Sequence, residues 1–464
     1  MDSGNISDKV PGRVAVLMPY WSFWETSVPW DLRADREALR AEATAIIGRM
    51  CEVTVSRTLA GESPTESPLP ELHDVDAVVV LSTMAAPSAT CMVALDSIPT
   101  TPVIVWALSR SSTLAAGFSH TDITTAGSSV GGPMVTSALA RAGRPFDVVA
   151  TSLAEPDDAL RAIRCAISAG RLLRGPLLAV GDPIPGYTTV VPPPSTDTFL
   201  KRIHVPSSSL AELAAQVSPD EVRRTMDEVR AEFDVDPRVT ELSLERAARA
   251  EVALRVLVHR DDAIAGTINC HEANLRGKAA FGIAPCLALG RLTSAGTPFT
   301  CTGDVLTAYA MAAIHGLGLP TLYHEVEALD FETDEVVLAN SGEHDLGLCG
   351  RRPALVPNIW YTHDKVVGPC ALYSIPEGPA SLVAFVMAPE PRFVVAEGFF
   401  TGREYSDTGV PNAGFRFGEL LLGQAWADWA RAGVTHHSAA TPAHVADDIR
   451  SIARLVGAEF VRIN

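Results

Sequence analysis

The sequence predicts an α/β protein in which two parallel, doubly wound α/β units precede a β-rich antiparallel part. Three observations predict it. Short β-branched runs alternate with helix-length segments over about the first 150 residues, the same alternation continues to about residue 320, and short strands joined by turn residues follow. Because 464 residues are too many for one ordinary core, we expect domains at 1–150, 151–320 and 321–464.

The first unit opens with a buried strand, RVAVLMP (13–19), and a helical segment at 31–50. Two further apolar runs of strand length follow, DAVVVLS (76–82) and TPVIVWALS (101–109). Buried parallel strands are near-continuous apolar runs of this kind. No GxGxxG motif follows the first strand, so the sequence gives no support for a dinucleotide site.

The second unit is predicted to begin with the strand FDVVATSL (146–153). Its other elements alternate in the same way, with two charged amphipathic helices in the middle. In order they are a helix at 157–173, the strand LLAVGD (177–182), helices at about 219–233 and 243–259, the strand AGTINC (265–270) and the helix GIAPCLALGRLTSAG (282–296).

The pattern of apolar and turn residues changes from about residue 321 onward. Short strands joined by turn residues predict an antiparallel sheet or barrel. Two helices, near 418–432 and 443–456, and a final strand EFVRI close the chain.

Charge and composition exclude several classes of partner. The formal net charge of −18 argues against nucleic acid and anionic membranes, which attract basic surfaces. No apolar run reaches the roughly 18 residues that a membrane span needs. The N-terminal MDSGNISDKVPGR shows no secretory signal, and the eight cysteines are dispersed without a CxxC pair. We therefore expect a cytoplasmic protein with structural cysteines.

Asp304 and Glu325 are the acidic candidates for chemistry. Asp304 precedes a strong helical pattern, so its alternative role is that of an N-cap. On a strand, Glu325 lies on one face with Tyr323 and Glu327, while His324 lies on the other face. A solvated strand face is the alternative role for these acids.

Consecutive histidines in AGVTHHSAATPAH (432–444) are the candidate metal ligands. His436 and His437 follow a glycine turn, and neutral imidazole is the commonest metal ligand. Paired exposed histidines also occur by chance, so this pair does not define a metal site by itself.

Two further places are candidates for binding a small molecule. Trp21 begins an aromatic run that could stack on a sugar or could pack a strand-to-helix corner. His271 and Glu272 follow the strand at 265–270, and open α/β sheets bind ligands beyond the carboxyl ends of their strands.

Three segments together resemble the C-terminal half of the L-arabinose/L-fucose isomerase superfamily. They are GIAPCLALGRLTSAGTPFTCTGDVLTAYAMAAIHGLGLPTLYHEVEALD (282–330), NSGEHDLGL (340–348) and WADWARAGVTHHSAATPAHVADDIRSIARLVGAEFVRIN (426–464). The resemblance implies two Rossmann-like α/β domains and a β-rich C-terminal domain. It also implies a homo-oligomer, a hexamer or trimer, in which neighbouring subunits help to build each pocket.

The resemblance further implies aldose–ketose interconversion of an open-chain sugar, usually with Mn²⁺. A divalent cation would stabilise the charge of the enediolate as a Lewis acid. A carboxylate would move the proton between C1 and C2 as general base and acid.

The family's ligands carry over to this sequence only in part. Glu325 matches the strand acid, and His437 matches the second histidine of the pair. Thr302 stands where the family has a loop acid, and Asn340 where it has a histidine, by an alignment that places Glu343 against a family glutamate. Neither replacement is anionic, and neither is a competent base at neutral pH.

The resemblance therefore implies catalytic roles for Glu325, Asp304 and Thr302 and a metal site of Glu325, His437 and Asn340. His436, Trp21, His271 and Glu343 are the expected contacts to the sugar. A thiol ligand from Cys301 would favour zinc over manganese, so another divalent metal stays open. Two other functions also stay open: a different sugar-directed enzyme, such as a lyase or epimerase, and a non-catalytic relative that binds a sugar or a partner.

Overall fold

The computed structural model describes residues 10–60, 69–192, 199–272, 275, 281–387 and 389–463. The N-terminal nine residues, on which the absence of a secretory signal was argued, lie outside this part of the chain. The chain divides into two compact units. The first comprises Met1–Arg174, Gly316–Gly318 and Asp447–Ala458, and the second comprises Gly175–His315, Leu319–Ala446 and Glu459–Asn464.

A parallel five-stranded sheet forms the centre of the first unit. Its strands, in chain order, are β1 (Arg13–Tyr20), β2 (Glu52–Ala60), β3 (Ala77–Ser82), β4 (Val103–Ser109) and β5 (Phe146–Ser152). They lie side by side in the order β2-β1-β3-β4-β5. The accompanying helices are α1 (Leu32–Met50), α2 (Ala89–Asp96), α3 (His120–Thr125), α4 (Ser128–Arg141) and α5 (Asp157–Arg174).

The apolar runs of the sequence form the middle of this sheet. Every residue of β3 is buried, and so are seven of the eight residues of β1, as expected for central parallel strands. One placement is corrected. The sequence pattern predicts that residues 146–153 open the second unit, whereas β5 pairs with β4 along its whole length. The second unit begins after α5.

A second parallel sheet opens the second unit. It contains β6 (Leu177–Val180), β7 (Arg202–Val205), β9 (Ala265–Ile268) and β10 (Phe299–Thr300), in the order β10-β9-β6-β7. The short strand β8 (Asp234–Val235) pairs instead with β13 (Ala354–Pro357), which also pairs with β14 (Pro369–Leu372). The helices of this region are α6 (Ser207–Gln216), α7 (Pro219–Glu232), α8 (Glu241–Asp261), α9 (Cys286–Ser294) and α10 (Val305–Gly316).

A closed antiparallel barrel follows, in agreement with the antiparallel sheet or barrel predicted from the short strands and turn residues of this region. Its strands are β11 (Leu322–Asp330), β12 (Glu335–Ala339), β15 (Gly378–Met387), β16 (Pro391–Phe400), β17 (Asn412–Arg416) and β18 (His437–Thr441). Pairing of β15 with both β16 and β18 closes the circle. The last strand, β19 (Glu459–Ile463), adds to β16 in parallel. The last two helices are α11 (Leu422–Arg431) and α12 (Ala446–Val456).

The structure thus contains the parallel sheets and the β-rich C-terminal part that the sequence predicts. The division into three domains at residues 150 and 320 stays a prediction. Within the described residues, no helix combines the length and the apolar character needed to cross a membrane. The eight cysteines are free thiols.

Candidate metal centre

Strand register brings Glu325 and His437 together. β11 and β18 are antiparallel, and Glu325 lies directly opposite His437. Directly opposed residues point to the same face of a sheet. Tyr323 shares this face, since its hydroxyl also reaches the His437 ring. His324 is turned away, with its Nε2 3.1 Å from the hydroxyl of Ser438. The predicted placement of Tyr323 with Glu325, and of His324 on the opposite face, is therefore confirmed.

The imidazole of His437 is held between two acids. Its Nε2 lies 2.8 Å from Oε1 of Glu325, and its Nδ1 lies 2.9 Å from Oδ2 of Asp304. The His437 and Asp304 side chains are 1% and 0% exposed, whereas that of Glu325 is 35% exposed. The Nε2 side of the ring is therefore the side that a small ligand can approach.

His436 completes a group of three metal-type donors on that open side. One donor atom each from Glu325, His436 and His437 lies within 4.8 Å of the others. His436 is exposed, and the ring of Tyr187 packs edge-on against it, with 5.4 Å between ring centroids. Burial and the neighbouring His437 lower the pKa of His436, which favours the neutral form that binds metals.

Asp304 is the N-cap of α10 and also contacts His437. Its Oδ1 accepts the backbone N–H of Thr307, which is the N-cap bond of α10. Its Oδ2 accepts the Thr307 hydroxyl at 2.7 Å and contacts His437. A carboxylate that binds the far nitrogen of a ligating histidine fixes the ring and raises its basicity.

Thr302 and Tyr323 lie on the same side of His437 as Asp304. The Thr302 hydroxyl donates to the carbonyl oxygen of Cys301 at 2.7 Å, and its oxygen lies 3.4 Å from the Tyr323 hydroxyl. The Tyr323 hydroxyl lies 2.8 Å from Nδ1 of His437. Thr302 also has a φ of 58°, an uncommon conformation for a β-branched residue. The Thr302 hydroxyl is thus engaged with the backbone rather than with the three-donor group.

The acids around His437 favour positive charge at the Glu325–His437 pair. Burial lowers the pKa of His437, but hydrogen bonds to Asp304 and Glu325 outweigh this effect. The net pKa is raised to about 9. Burial raises the pKa of Glu325, but its bond with His437 and the charge of that histidine bring the net value below the ordinary one. Without a metal, a protonated imidazole therefore lies between two carboxylates. A divalent cation on Nε2 would replace that proton.

Asn340 and Glu343 make their contacts elsewhere. The Asn340 amide oxygen accepts from the backbone and the hydroxyl of Ser341. Glu343 is fully buried, and its Oε1 accepts from the Ser341 hydroxyl at 3.2 Å. Burial, followed by the charge of Cys270, raises the pKa of Glu343 to about 7. The described contacts do not join either residue to the three-donor group.

Trp21 and His271 have separate surroundings. Trp21 lies between β1 and α1 in the first unit, stacked on Phe23 with 4.5 Å between ring centroids. It packs against a cluster of buried residues that includes Tyr20 and Leu32, as the packed-corner alternative predicts. His271 is exposed just beyond the carboxyl end of β9, where the sequence places it.

Sequence reasoning did not assign a role to Tyr323. The signal was available, because strand alternation puts Tyr323 on the face of Glu325. What the sequence could not show is that β18 brings an imidazole to the same face, 114 positions further along the chain.

Comparison with known proteins finds a distant similarity to a sugar isomerase but does not establish a family. No family model matches the chain. The chain is 25% identical over 277 residues to an L-arabinose isomerase of Acidothermus cellulolyticus. The match covers 53% of this chain and 51% of that enzyme. The chain thus spans about half the length of the relative, and the similarity to a sugar isomerase is distant.

Proposed function

We propose that the chain is a divergent relative of the L-arabinose and L-fucose isomerases that binds a divalent cation and moves a proton between C1 and C2 of an open-chain sugar. The observation that carries this proposal is the convergence of Glu325, His436 and His437 beside an Asp304 that orients His437. The distant similarity to an L-arabinose isomerase supports it.

The three donors fit a divalent cation. One carboxylate and two imidazoles suit Mn²⁺ and Zn²⁺, and the donor atoms already lie close together. Of the ligands expected from the sequence, Glu325 and His437 belong to this group, and His436 replaces Asn340. When bound, the cation would supply Lewis-acid stabilisation of negative charge on the sugar oxygens.

The protein residues would divide the remaining work. Glu325 is partly exposed and keeps a lowered pKa, so it is ionised at neutral pH and can accept a proton from a sugar carbon. Asp304 and Tyr323 would hold the His437 ring in place from its buried side. His436, His271 and Glu343 remain proposed contacts to the sugar, as does Trp21.

One observation favours a second candidate function. An isomerase of the usual type has a second acid in the loop, but here Thr302 occupies that place and donates its hydroxyl to Cys301. Asp304 is fully buried on the far side of His437 and cannot replace that acid at the sugar. A site with one accessible carboxylate also suits a different sugar-directed reaction, such as that of a lyase or epimerase, or non-catalytic sugar binding.

Further features of the proposal rest on the sequence and on the resemblance. They are three domains, the first two Rossmann-like, a homo-oligomer that is a hexamer or trimer, and a cytoplasmic location. Sedimentation of the purified chain would measure the oligomeric state directly.

Calorimetric titration of Mn²⁺ and then Zn²⁺ into metal-stripped protein tests the metal site. We expect binding in the wild type, loss of binding in Glu325→Gln, and normal binding in the control Glu327→Gln. Glu327 is an exposed neighbour on the same strand that does not belong to the three-donor group. Absence of binding by either ion in the wild type would reject the metal site.

Proton exchange at C2 tests the reaction. A panel of aldopentoses and 6-deoxyaldohexoses would be incubated in D₂O with metal-loaded protein, and deuterium at C2 would be followed by NMR. An isomerase exchanges the C2 proton of at least one sugar and forms the ketose. Metal binding without exchange on any sugar would favour the second candidate function.

A further inference from the structure

Rings, rather than hydrogen bonds, hold the side chain of His436. Its ring centroid lies 3.9 Å from that of His437 and 5.4 Å from that of Tyr187. Among the residues that the structure describes, none forms a hydrogen bond with the His436 ring, whereas both nitrogens of His437 have partners. His436 is exposed and His437 is buried. Of the two histidines, His436 is therefore the one whose orientation depends on its aromatic neighbours.

Tyr187 meets His436 in a T-shaped contact, with the two ring planes 88° apart. Aromatic pairs favour this arrangement because the edge of one ring is electropositive and the face of the other is electronegative. The contact therefore restrains the direction in which the His436 ring points. It uses the ring of Tyr187 and does not require the hydroxyl.

Tyr187 ends the segment that follows β6, residues 181–187, which we call the β6 loop. Two side chains that follow the neighbouring strand β9 hold the beginning of this loop. Oε1 of Glu272 accepts the backbone N–H of Asp182 at 2.5 Å, and the side-chain amide of Asn269 donates to the Asp182 carbonyl oxygen at 2.6 Å. Both backbone polar groups of Asp182 are thus fixed from outside the loop.

Gly181 allows the β6 loop to approach its anchor closely. Its φ is 84°, and a Cβ atom at this position would lie 2.8 Å from Oε1 of Glu272 and 3.2 Å from Cβ of Asn269. A larger residue would be strained and would push the anchoring carboxylate away. At the other end of the loop, the N–H of Tyr187 donates to the carbonyl oxygen of Ile184 at 3.0 Å. The loop therefore has a fixed start and a turn that leads into Tyr187.

The β6 loop also lies against the loop that carries Asp304. A Cβ atom at Gly303 would be 3.8 Å from Cα of Pro183, which is an ordinary van der Waals distance. Gly303 immediately precedes Asp304, and Asp304 contacts His437. The two histidines of the candidate metal centre are therefore supported by two touching loops that follow strands of one parallel sheet, at the edge where such sheets bind ligands.

We propose that the β6 loop positions the third metal ligand, with Tyr187 holding the His436 ring and Glu272 anchoring the loop. Neither residue belongs to the three-donor group, so both are positioning residues. A ligand that is held in place before the metal arrives needs less ordering on binding. The role in metal binding rests on the proposed function, whereas the contact between Tyr187 and His436 does not.

The first experiment measures the ring contact in the metal-free, full-length protein. Diethyl pyrocarbonate modifies accessible neutral imidazoles, and tandem mass spectrometry reports the rate at His436. We expect Tyr187→Ala to raise this rate at least about threefold, because one side of the ring loses its partner. Tyr187→Phe keeps the ring and should stay near the wild-type rate. Equal rates in Tyr187→Ala and the wild type would overturn the proposal, whether or not the protein binds a metal.

Phe331→Ala is the matched control for the loss of an aromatic side chain. Phe331 is 70% exposed in the turn between β11 and β12, and it has no part in the three-donor group. The variant should modify His436 at the wild-type rate. A rise equal to that of Tyr187→Ala would show that the reagent responds to a general loosening of the protein, and it would remove the evidence for a specific contact.

Variants of Glu272 and Gly181 test the anchor. Glu272→Ala removes the acceptor of the Asp182 N–H, and this amide should exchange with D₂O at least about tenfold faster. Glu272→Gln keeps an acceptor oxygen and should restore slow exchange. Gly181→Ala crowds the same carboxylate and should act in the direction of Glu272→Ala. Unchanged exchange at Asp182 in Glu272→Ala would contradict the assignment of Glu272 as the anchor.

The second experiment measures the consequence for the metal centre. Calorimetric titration should show Mn²⁺ binding roughly tenfold weaker in Tyr187→Ala than in the wild type, and near the wild-type affinity in Tyr187→Phe and Phe331→Ala. The visible absorption of bound Co²⁺ should change in Tyr187→Ala alone, because it reports the ligands of the ion. Full Mn²⁺ affinity in Tyr187→Ala would reject the positioning role. If the wild type binds no metal, the proposed function fails, while the modification rate of His436 still decides the ring contact.

Discussion

Asp304 connects the N-terminus of a helix to a histidine 133 positions away, with 2.9 Å between its Oδ2 and Nδ1 of His437. The same carboxylate accepts the backbone N–H of Thr307 at the start of α10. The helix therefore holds the acid in place, and the acid in turn holds the imidazole. Because α10 is well packed, His437 is presented to its partners in one orientation before any ligand arrives.

Two substitutions of Asp304 should separate its two roles. Asn caps a helix as well as Asp does but lacks the charge, whereas Ala loses both properties. We expect Asp304→Asn and Asp304→Ala both to weaken Mn²⁺ binding by about 10–100-fold, since each removes the carboxylate behind a metal-ligating histidine. Asp304→Ala should also lose about 1 kcal/mol more unfolding free energy than Asp304→Asn. Calorimetry and urea denaturation measure the two effects. Unchanged Mn²⁺ affinity in Asp304→Asn would contradict the role of the carboxylate.

Restoring an acid at position 302 tests how closely the site follows the sugar isomerases. Thr302 lies 3.4 Å from the Tyr323 hydroxyl, which contacts His437. Thr302→Glu should raise Mn²⁺ affinity by roughly tenfold, about 1.4 kcal/mol, because the resemblance to the sugar isomerases places a ligating acid at this position. Thr302→Gln is the matched control, with the same length and no charge. Equal affinities in the two variants would mean that the site has been rebuilt for another purpose.

Local patterns of the sequence predicted local features of the site well. Alternation along β11 placed Tyr323 with Glu325 and His324 on the opposite face, and the structure agrees. The cap role of Asp304 could be inferred because a helical pattern follows it directly. Both features depend on residues within a few positions of one another.

Long-range pairing accounts for what the sequence missed. β11 pairs with β18, which lies more than a hundred residues away in the sequence. A shift of this register by one residue would turn His437 to the other face. Similarly, the strand at 146–152 is recognisable from its residues, but its partner β4 is not. The backbone of Thr302 was also unpredictable, since a positive φ is uncommon for this residue type.

Glu343 should make the stability of the protein fall as the pH rises from about 4.5 to about 7. Its pKa is raised to about 7 by burial and by the charge of Cys270, and its Oε2 has no hydrogen-bond partner among the described residues. Below the unfolded pKa of about 4.5, both states are protonated, so the group has no effect. Above about pH 7 the folded state must hold a buried charge, at a cost of roughly 3 kcal/mol.

The variant Glu343→Gln should remove this pH dependence. Relative to the wild type, its unfolding free energy should rise by roughly 3 kcal/mol between pH 4.5 and pH 8. Urea denaturation across that range measures the difference, and Glu212→Gln, at an exposed position of α6, is the control. A constant difference between Glu343→Gln and the wild type at all pH values would show that the Glu343 carboxyl does not titrate near neutrality.

His344, the next residue, should act in the opposite direction in acid. Burial and, to a smaller extent, the neighbouring His324 lower its pKa from 6.5 to about 3. Above pH 6.5 the His344 ring is neutral in both the folded and the unfolded state. Below pH 6.5 the unfolded state binds a proton at this ring, whereas the folded state does not until the pH approaches 3. At pH 5 the wild type should therefore have lost about 2 kcal/mol of unfolding free energy through this group.

His344→Leu cannot take up the proton and should lose about 2 kcal/mol less between pH 7.5 and pH 5, measured by urea denaturation at both values. His363→Leu, at a side chain that is 71% exposed, is the control and should follow the wild type. Equal losses in His344→Leu and the wild type would mean that His344 binds its proton as readily in the folded protein as in the unfolded chain.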